Sequence, residues 1–391
     1  MSSVRVGSDK VVIRSYDRER DRERFEKLER NCEVEPKKSP FFKTDVLGDP
    51  LCRIRNSPTY EMLVAELGNE LVGVVCGSIK VVRAGGSPEG RAKVGYILGL
   101  RVSSLHRRRG IGSSLVFRME QWFAANLVDY VYMATDKDNE ASVKLFTDKL
   151  GFIKFRTPTI LVNPVGNRMI HISSGVEIKK LDVEQAEVLY RKVMSLTEFF
   201  PQDIDSILAN KLSLGTFIAY PLGETWEGLL DGGPSTPKSW AMLSVWNSAA
   251  AFKLKVGRAH HQACVLMSKA SRWMDRLLPL LRIPVLPNIF SWFGFYFMYG
   301  LHAQGPESDS LMRSLCHHVH NMATRCKDCK VIVTEVGSQD LVGTYIPHWK
   351  MLSYSEDLWC IKALNNKKGA ALYDWTKAPP PQTLFVDPRE V

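Results

Sequence analysis

A basic, glycine-containing segment, Arg107-Arg108-Arg109-Gly110-Ile111-Gly112, has the residue types that could most directly do chemistry. It follows an apolar, β-branched segment at 93–102 and precedes an amphipathic one at 113–126. The first N–H groups of a helix lack intrahelical partners and carry the positive end of the helix dipole. Glycine lets a phosphate approach that backbone closely, and arginine adds charge-assisted hydrogen bonds. The segment therefore predicts a pyrophosphate site, and the alternative is a basic surface loop that caps an ordinary helix.

The segments around this turn predict an α/β fold with a mixed α+β sheet and helices on both faces. We expect strands at 10–16, 60–67, 70–82, 93–102, 128–135 and 152–156, with a hairpin turn at Gly68-Asn69. Helices are expected from 17 onward, at 113–126 and at 139–149, the last ended by Gly151. Acidic and basic residues interleave over 14–30, which favours a solvated helix with mixed charges and makes direct nucleic-acid binding unexpected.

A similar order of elements begins again in the second half, which predicts a diverged second copy of the same fold. Strands are expected at 176–181, 216–220, 240–246, 331–336 and 358–364, and helices at 182–194 and 309–325. The place of the fourth strand and the phosphate turn of this copy is expected at 300–306, which has Gly305-Pro306 and no basic cluster, so this copy is expected to be degenerate. We predict a first domain at 10–160, a connector at 161–175, a second domain at 176–376 and a proline-rich tail at 377–391.

The turn and its flanks resemble the GNAT acyltransferase superfamily, whose turn is written Q/R-x-x-G-x-G/A. The segment Leu100-Arg101-Val102 resembles the family's fourth strand, which pairs with the pantetheine arm, and 139–152 resembles its asparagine-led helix ending in Gly-Phe. The resemblance implies a GNAT fold that binds acetyl-CoA as cosubstrate. It implies these contact residues: Leu100, Val102, Arg107, Arg108, Arg109, Gly110, Ile111, Gly112, Ser113, Asn139, Ser142 and Phe146.

A closer resemblance covers nearly the whole chain. Segments such as Leu47-Gly48-Asp49-Pro50, Ile346-Pro347-His348-Trp349 and Phe385-Val386-Asp387-Pro388-Arg389 resemble the plant HOOKLESS-type probable N-acetyltransferases. This resemblance implies a protein or peptide acceptor, including a chromatin-associated one, and a regulatory role in hormone-directed differential growth. It also implies residence in the nucleus, while the scattered cysteines and the lack of a signal-peptide pattern predict the cytosol or the nucleus.

The usual catalytic groups of the superfamily are missing from their expected positions. Phe146 stands where a tyrosine acid is common, and Ile97, Leu98 and Gly99 stand where a glutamate base is common. The candidate substitutes are Tyr96, Asp136 and Glu66, for which the alternatives are a packed strand residue, a helix-cap neighbour and a solvent-facing carboxylate. Two hypotheses follow: an N-acetyltransferase, or a non-catalytic acetyl-CoA-binding regulator or scaffold.

Composition narrows the class of protein. The chain has 391 residues, 45% of them hydrophobic and 24% charged, with a net charge of +10 that suits a phosphate- or carboxylate-bearing partner. The eight scattered cysteines indicate reduced thiols, and no membrane segment is expected. No metal is expected at Cys316, His317, His318, His320 or Cys326-Lys327-Asp328-Cys329, which read as helix and turn. The aromatic segment at 292–299 predicts core or interdomain packing, with self-association or a hydrophobic acceptor groove as the alternative.

Overall fold

The computed structural model describes residues 2–6, 9–32, 42–84, 90–226, 237–256, 289, 291–350, 352–353, 357–364, 375, 377 and 383–391. The strands of the first half are β1 Ser2–Val6, β2 Asp9–Ser15, β3 Phe42–Asp45, β4 Thr59–Leu67, β5 Glu70–Arg83, β6 Arg91–Val102, β7 Tyr130–Asp136, β8 Ile153–Arg156 and β9 Thr159–Pro164. Those of the second half are β10 Val176–Leu181, β11 Ser213–Pro221, β12 Trp240–Asn247, β13 Lys253–Val256, β14 Gly294–Gln304, β15 Cys329–Val336 and β16 Asp357–Ala363. The α-helices are α1 Arg18–Cys32, α2 Ile111–Ala125, α3 Glu140–Lys144, α4 Val183–Met194, α5 Ile204–Leu208 and α6 Ser308–Thr324.

The first sheet has the strand order β1-β2-β4-β5-β6-β7-β16-β8. All of its pairs are antiparallel except β6 and β7, which run parallel from Val94–Tyr130 to Ile97–Met133. Helix α2 covers one face, where Leu115, Met119 and Phe123 are buried because their spacing places them on one side of the helix. Helix α1 covers the other face through Phe25 and Leu28. The mixed sheet with helices on both faces is confirmed.

The second sheet repeats this plan with the order β10-β11-β12-β14-β15-β9. Again one central pair, β14 and β15, is parallel. Helix α6 packs on one face through residues such as Leu311 and Leu315, and α4 and α5 pack on the other. Two tandem domains of the same architecture are therefore present.

Each sheet takes one strand from the other half of the chain. Strand β9, which includes the first residues of the expected connector, pairs with β15 in the second sheet. Strand β16, from the second half, lies between β7 and β8 in the first sheet. The domain boundaries drawn along the sequence follow chain order, whereas the sheets exchange strands across them.

Both central strands carry the same bulge at a glycine. Gly99 in β6 and Gly300 in β14 have φ values of +63° and +58°, which L side chains rarely adopt. The register shifts at both places, between Val74 and Cys76 on β5 and between Met242 and Ser244 on β12. Each bulge changes the direction of its strand close to the point where the parallel pairing ends, after Ile97 in β6 and after Met298 in β14. The two domains therefore share the irregularity that opens their sheets.

The largest apolar core lies between the two sheets and contains residues from both. Of the expected tail, residues 384–390 are buried, and Phe385 contacts Phe200 with ring centroids 5.5 Å apart. The aromatic segment forms most of β14, and Phe295, Phe297 and Tyr299 lie in this core, which confirms the expected packing. Strand β14 starts at Gly294, earlier than the expected position near Gly300.

Candidate functional site

The start of α2 is open to an anion. Gly110 is the N-cap residue in a left-handed conformation, no side chain caps the helix, and its first turn has no acidic residue. The first N–H groups therefore keep their hydrogen-bonding capacity and the positive end of the dipole. Arg108, with φ +60°, is one of the few described non-glycine residues in a left-handed conformation. Such strain is common where a backbone is shaped for a ligand.

Hydrogen-bonding contacts hold two of the three arginines of this turn, Arg107 to backbone carbonyls and Arg109 to a histidine ring. Arg107 Nε donates to the carbonyl oxygen of Val102 at 3.2 Å, and its Nη2 donates to that of Cys32 at 3.3 Å. Arg109 Nη1 lies 3.4 Å from His106 Nδ1. All three arginines are exposed. The turn thus presents a fixed, positively charged surface next to the helix start.

An apolar groove leads from this helix start along β6. Beyond Ile97 and Met133 the parallel pairing of β6 with β7 ends, so residues 98–102 present a free backbone edge. A Cβ added at Gly112 would lie 3.6 Å from Val102 Cγ2, 3.7 Å from Leu145 Cδ2 and 3.9 Å from Leu100 Cδ2. Gly112 therefore keeps open a groove lined by three half-buried apolar side chains. A free strand edge with apolar walls fits an amide-bearing chain such as a pantetheine arm.

The asparagine-led helix contributes to this groove through Leu145. Asn139 Oδ1 accepts a hydrogen bond from Ser142 N at 3.3 Å and caps α3, which continues into a π-helical turn, Leu145–Lys149. Phe146 is only 2% exposed and packs edge-on against Phe152, with ring centroids 5.1 Å apart. The position where the family commonly has a tyrosine thus faces the core of the first domain.

Two of the three catalytic candidates share the sheet face that turns toward the second domain. Tyr96 is buried beside Tyr132, with ring centroids 4.8 Å apart, and burial raises the pKa of its hydroxyl. Asp136 is exposed at the end of β7, opposite Asp357 on β16.

Glu66, the third candidate, lies in a cluster of arginines. Its carboxylate forms ion pairs with Arg14, Arg20 and Arg24 at 2.6–2.9 Å. Burial alone would raise its pKa, but the hydrogen bonds from Arg24 and Arg14 hold it below the usual value. Arg14 and Arg24 also form ion pairs with Asp21, which is fully buried, whereas the sequence predicts a solvated helix at this place.

Two further carboxylates, which the sequence did not single out, lie near Tyr96: Asp357 on β16 of the first sheet and Glu335 on β15 of the second. Glu335 Oε1 accepts a hydrogen bond from Trp359 Nε1 at 3.1 Å. Burial and the nearby Asp357 raise the pKa of Glu335 well above its usual value, and burial raises the pKa of Asp357 to about 6, with Asp136 adding to the shift. Carboxylates whose pKa values are raised in this way can accept a proton near neutral pH.

The carboxyl-terminal segment builds a buried charge network beneath this face. Tyr132 Oη donates to Glu390 at 2.6 Å, and Lys80 Nζ lies 2.8 Å from Glu390 and 3.3 Å from Asp387. Arg389 bonds Asp387 at 2.7 Å and, from the second domain, Asp203 at 2.6 Å. Burial alone would raise the pKa of Asp387, but the charges of Arg389 and Lys80 hold it well below its usual range. This network connects β5 and β7 of the first sheet with the start of α5 in the second domain.

The cysteines and histidines of the described ranges form no metal-ligand cluster. The seven cysteines described there are free thiols, and no group of three or more His, Cys, Asp or Glu side chains among these residues could hold a metal ion. Cys316 and His320 are buried on α6. In the described part of the chain, no helix is long and apolar enough to cross a membrane.

One signal in the sequence would have located the second-domain carboxylate. The segments Tyr96-Ile97-Leu98-Gly99-Leu100-Arg101-Val102 and Phe297-Met298-Tyr299-Gly300-Leu301-His302-Ala303 align position by position about their bulge glycines. The same number of residues then separates Ile97 from its partner Met133 and Met298 from its partner Thr334. Glu335 follows directly.

Comparison with known proteins finds relatives that match nearly the full length of the chain. Residues 22–152 match the acetyltransferase (GNAT) family. The chain is 47% identical to the Arabidopsis thaliana protein named probable N-acetyltransferase HLS1, covering 97% of this chain and 100% of that protein. It is 46% identical to the Arabidopsis thaliana protein named probable N-acetyltransferase HLS1-like, covering 97% and 99%. It is 37% identical to the acetyl transferase GW6a of Oryza sativa subsp. japonica, covering 97% of each.

Solved structures share the fold. Two crystal structures of Saccharomyces cerevisiae N-myristoyltransferase with bound myristoyl-CoA superimpose with TM-scores of 0.56 and 0.53, covering 92% of this chain and 80% and 84% of theirs. Sequence identity is 10% in both cases, so this similarity concerns the fold alone.

Proposed function

Since the chain belongs to the GNAT acetyltransferase family and, within it, to the HLS1-type probable N-acetyltransferases of plants, we propose that it transfers the acetyl group of acetyl-CoA to an amine of a protein or peptide. The GNAT fold implies an acyl-CoA and an acceptor. We propose more specifically that the acyl group is acetyl and that the acceptor is a protein or peptide.

The observation that carries the proposal is the open start of α2 beside the free edge of β6. Gly110 and Gly112 leave the helix N–H groups and the apolar groove accessible, and three exposed arginines surround them. Positive charge and unpartnered N–H groups suit a pyrophosphate. The groove walls, Leu100, Val102 and Leu145, suit the apolar parts of a pantetheine arm.

Acetyl-CoA supplies a thioester whose carbonyl carbon an amine can attack. A backbone N–H on the free edge of β6 would stabilise the oxyanion of the tetrahedral intermediate. An alkyl amine has a pKa near 10.4, so a carboxylate on the facing side must first take its proton. Burial keeps Tyr96 protonated, which leaves its hydroxyl a donor on this face.

A non-catalytic acetyl-CoA-binding regulator is the second candidate. Phe146, buried against Phe152, offers no proton to a departing thiolate, and no carboxylate stands at 97–99. This function would use the same groove and would need no acceptor.

Calorimetry with acetyl-CoA, followed by mass spectrometry of a peptide-amine panel, distinguishes the two. Wild type is expected to bind acetyl-CoA and to acetylate a peptide, and Gly112→Glu is expected to lose both activities. The matched control is Gly175→Glu, the same change at an exposed loop glycine of the second domain. Binding without transfer across the panel would leave the regulator, and absence of binding would refute both functions. Myristoyl-CoA in parallel tests whether the acyl group is acetyl.

We also propose the regulatory role in plant hormone-directed growth, with action in the nucleus or cytoplasm, on the resemblance to the HOOKLESS-type proteins. A plant lacking the protein, complemented with Gly112→Glu, tests it. Failure of this variant to restore differential growth, where Gly175→Glu restores it, is the expected result.

A further inference from the structure

The second domain has its own opening between its central strands. The parallel pairing of β14 and β15 ends at Met298 and Thr334, and beyond this point the strands line a small cavity. The cavity lies where the first domain has its groove, because both follow a bulge glycine. It has room for about one water molecule. Among its lining residues are Tyr299, Leu301, Glu335, Asp340, Leu384 and Val386.

This second opening cannot hold a pyrophosphate. Helix α6, the counterpart of α2, has Glu307 as its N-cap residue and Asp309 in its first turn, so negative charge stands at its start. A Cβ at Gly305 would lie 2.3 Å from the carbonyl oxygen of Lys238, so backbone already fills the space before the helix. The cavity must serve another kind of group.

The polar groups of the cavity favour a positively charged hydrogen-bond donor. Glu335 and Asp340 contribute carboxylates, which only accept hydrogen bonds when ionised. Tyr299, a residue only 1% exposed, also lines the cavity. Leucine and valine side chains provide the other walls. A primary ammonium group, with three donors on an apolar stem, satisfies such a lining.

The strand exchange connects this cavity to the acyl groove. Trp359, which donates to Glu335, belongs to β16 and therefore lies in the first sheet. Its ring centroid is 5.5 Å from that of Tyr132, which in turn contacts Tyr96 where β6 and β7 begin to diverge. Glu335 is thus connected through Trp359 and Tyr132 to Tyr96, which lies where the acyl groove begins.

We propose that this cavity is the acceptor pocket of the transferase, where it holds the primary ammonium group of the acceptor while Glu335 takes one of its protons. The inference rests on the proposed acetyl transfer. The neutral amine then forms the new C–N bond to the thioester carbonyl carbon, and the C–S bond breaks. The second amine proton ends on the departing CoA thiolate. A raised pKa makes the Glu335 carboxylate a stronger base than an exposed one.

Two sources offer this ammonium group, the lysine side chain and the chain amino terminus. Three peptides distinguish them: one with lysine and a blocked amino terminus, one with a free amino terminus and no lysine, and one with neither. Acetyl transfer to the first or second, and none to the third, is expected from wild type. Transfer to a peptide without any primary amine would overturn the inference.

The residue test compares Glu335→Gln and Glu335→Asp with Glu184→Gln, an exposed carboxylate on α4. Glu335→Gln is expected to lower kcat by about 10²–10⁴-fold with unchanged acetyl-CoA affinity, and Glu335→Asp to recover part of the rate. Equal rates for Glu335→Gln and wild type would refute the role of Glu335 while the proposed function stands. A wild type that transfers nothing refutes both.

A binding measurement tests the pocket without a variant. Calorimetry on the full chain with CoA present compares the preferred amine peptide with a copy in which a methyl group replaces the ammonium group. At least tenfold weaker binding of the neutral copy is expected, and equal binding would overturn the pocket assignment.

Discussion

Gly112→Ala is expected to stabilise the protein while weakening acyl-CoA binding. Gly112 lies in the first turn of α2, its φ is outside the left-handed region, and its added Cβ would meet neighbours at ordinary distances of 3.6–3.9 Å. Alanine in a helix is favoured over glycine by up to about 1 kcal/mol, partly because the unfolded chain loses freedom. We therefore expect the free energy of unfolding to rise by about 0.5 kcal/mol.

The same methyl group would occupy the groove between Val102, Leu145 and Leu100. If the pantetheine arm packs there, the methyl group overfills a close contact at a cost of about 1–3 kcal/mol. Each 1.4 kcal/mol is a factor of ten, so Kd should rise by about fivefold to a hundredfold. Opposite effects on stability and affinity distinguish a ligand groove from a merely structural turn.

Urea denaturation measures the first quantity and calorimetry with acetyl-CoA the second. Gln121→Ala, at an exposed position later in α2, is the matched control, expected to keep affinity unchanged. Gly110→Ala is the contrast: its Cβ would meet nothing within 4 Å, yet φ is +81°, so stability should fall by about 1–2 kcal/mol. A stabilised Gly112→Ala protein with wild-type Kd would refute the placement of the ligand.

Four further outcomes follow from the structure. Arg108→Gln with Arg109→Gln should raise the Kd for acetyl-CoA about tenfold and flatten its dependence on salt, measured by calorimetry at low and high ionic strength. Asp387→Asn should lower the free energy of unfolding by about 3–5 kcal/mol at pH 7, because it leaves Lys80 and Arg389 buried with less negative charge. Since the folded-state pKa of Asp387 is depressed, its contribution in wild type is lost as pH falls below about 5. Urea midpoints plotted against pH should therefore fall more steeply at low pH in wild type than in the variant. Asp357→Asn should raise the free energy of unfolding at pH 7 by about 1–3 kcal/mol. The pKa of Asp357 in the folded protein is about 6, so the stability of wild type falls as pH rises between about 4 and 6. A variant whose urea midpoint at pH 7 is no higher than that of wild type would contradict this. A fragment of residues 1–160 should fail to unfold cooperatively in circular dichroism, because it lacks β16, to which β8 pairs; a folded fragment that binds acetyl-CoA would contradict the exchanged sheets.

The first domain could be predicted from sequence because its signals are local. The helical spacing of Leu115, Met119 and Phe123 places α2, and Gly151, with φ +73°, ends the asparagine-led helix as expected. The phosphate turn lies between a strand and a helix whose patterns are both clear. Each of these features depends on residues a few positions apart, where periodicity is informative.

The start of β14 was misplaced because periodicity fails there. Tyr296 and Phe297 are neighbours in sequence but belong to different cores, on opposite faces of the second sheet. A strand buried on both faces has no alternation of apolar and polar residues, so its ends cannot be read from pattern. The repeat of 96–102 in 297–303 is the better signal.

The strand exchange and the facing carboxylates could not be predicted, because neither depends on neighbours in sequence. Val331 pairs with Pro164, and Trp359 pairs with Ala134, across long stretches of chain. Glu335 lies within the apolar strand β15 and Asp357 is the first residue of β16, and only the exchange, which places β16 in the first sheet, brings the two carboxylates close together. The arginines around Glu66 show the same limit, since their sequence pattern is that of a solvated helix and their contacts are long-range.

The exchange explains how the fold keeps raised-pKa carboxylates in place. Burying Glu335 near Asp357 opposes folding at neutral pH, since each carboxylate would be better solvated in the unfolded chain. If the two carboxylates lay on domains that could separate, the repulsion between them would be relieved when the domains moved apart. Here Glu335 lies on β15 and Asp357 on β16, which belong to different sheets. The ion pairs of Arg389 with Asp387 and Asp203 connect the carboxyl-terminal segment to the start of α5 in the second domain. Separating the two carboxylates would therefore require disrupting the core between the sheets. The stability of the whole chain thus keeps Glu335 close to Asp357, although this proximity is locally unfavourable, and the raised pKa values that result suit proton transfer.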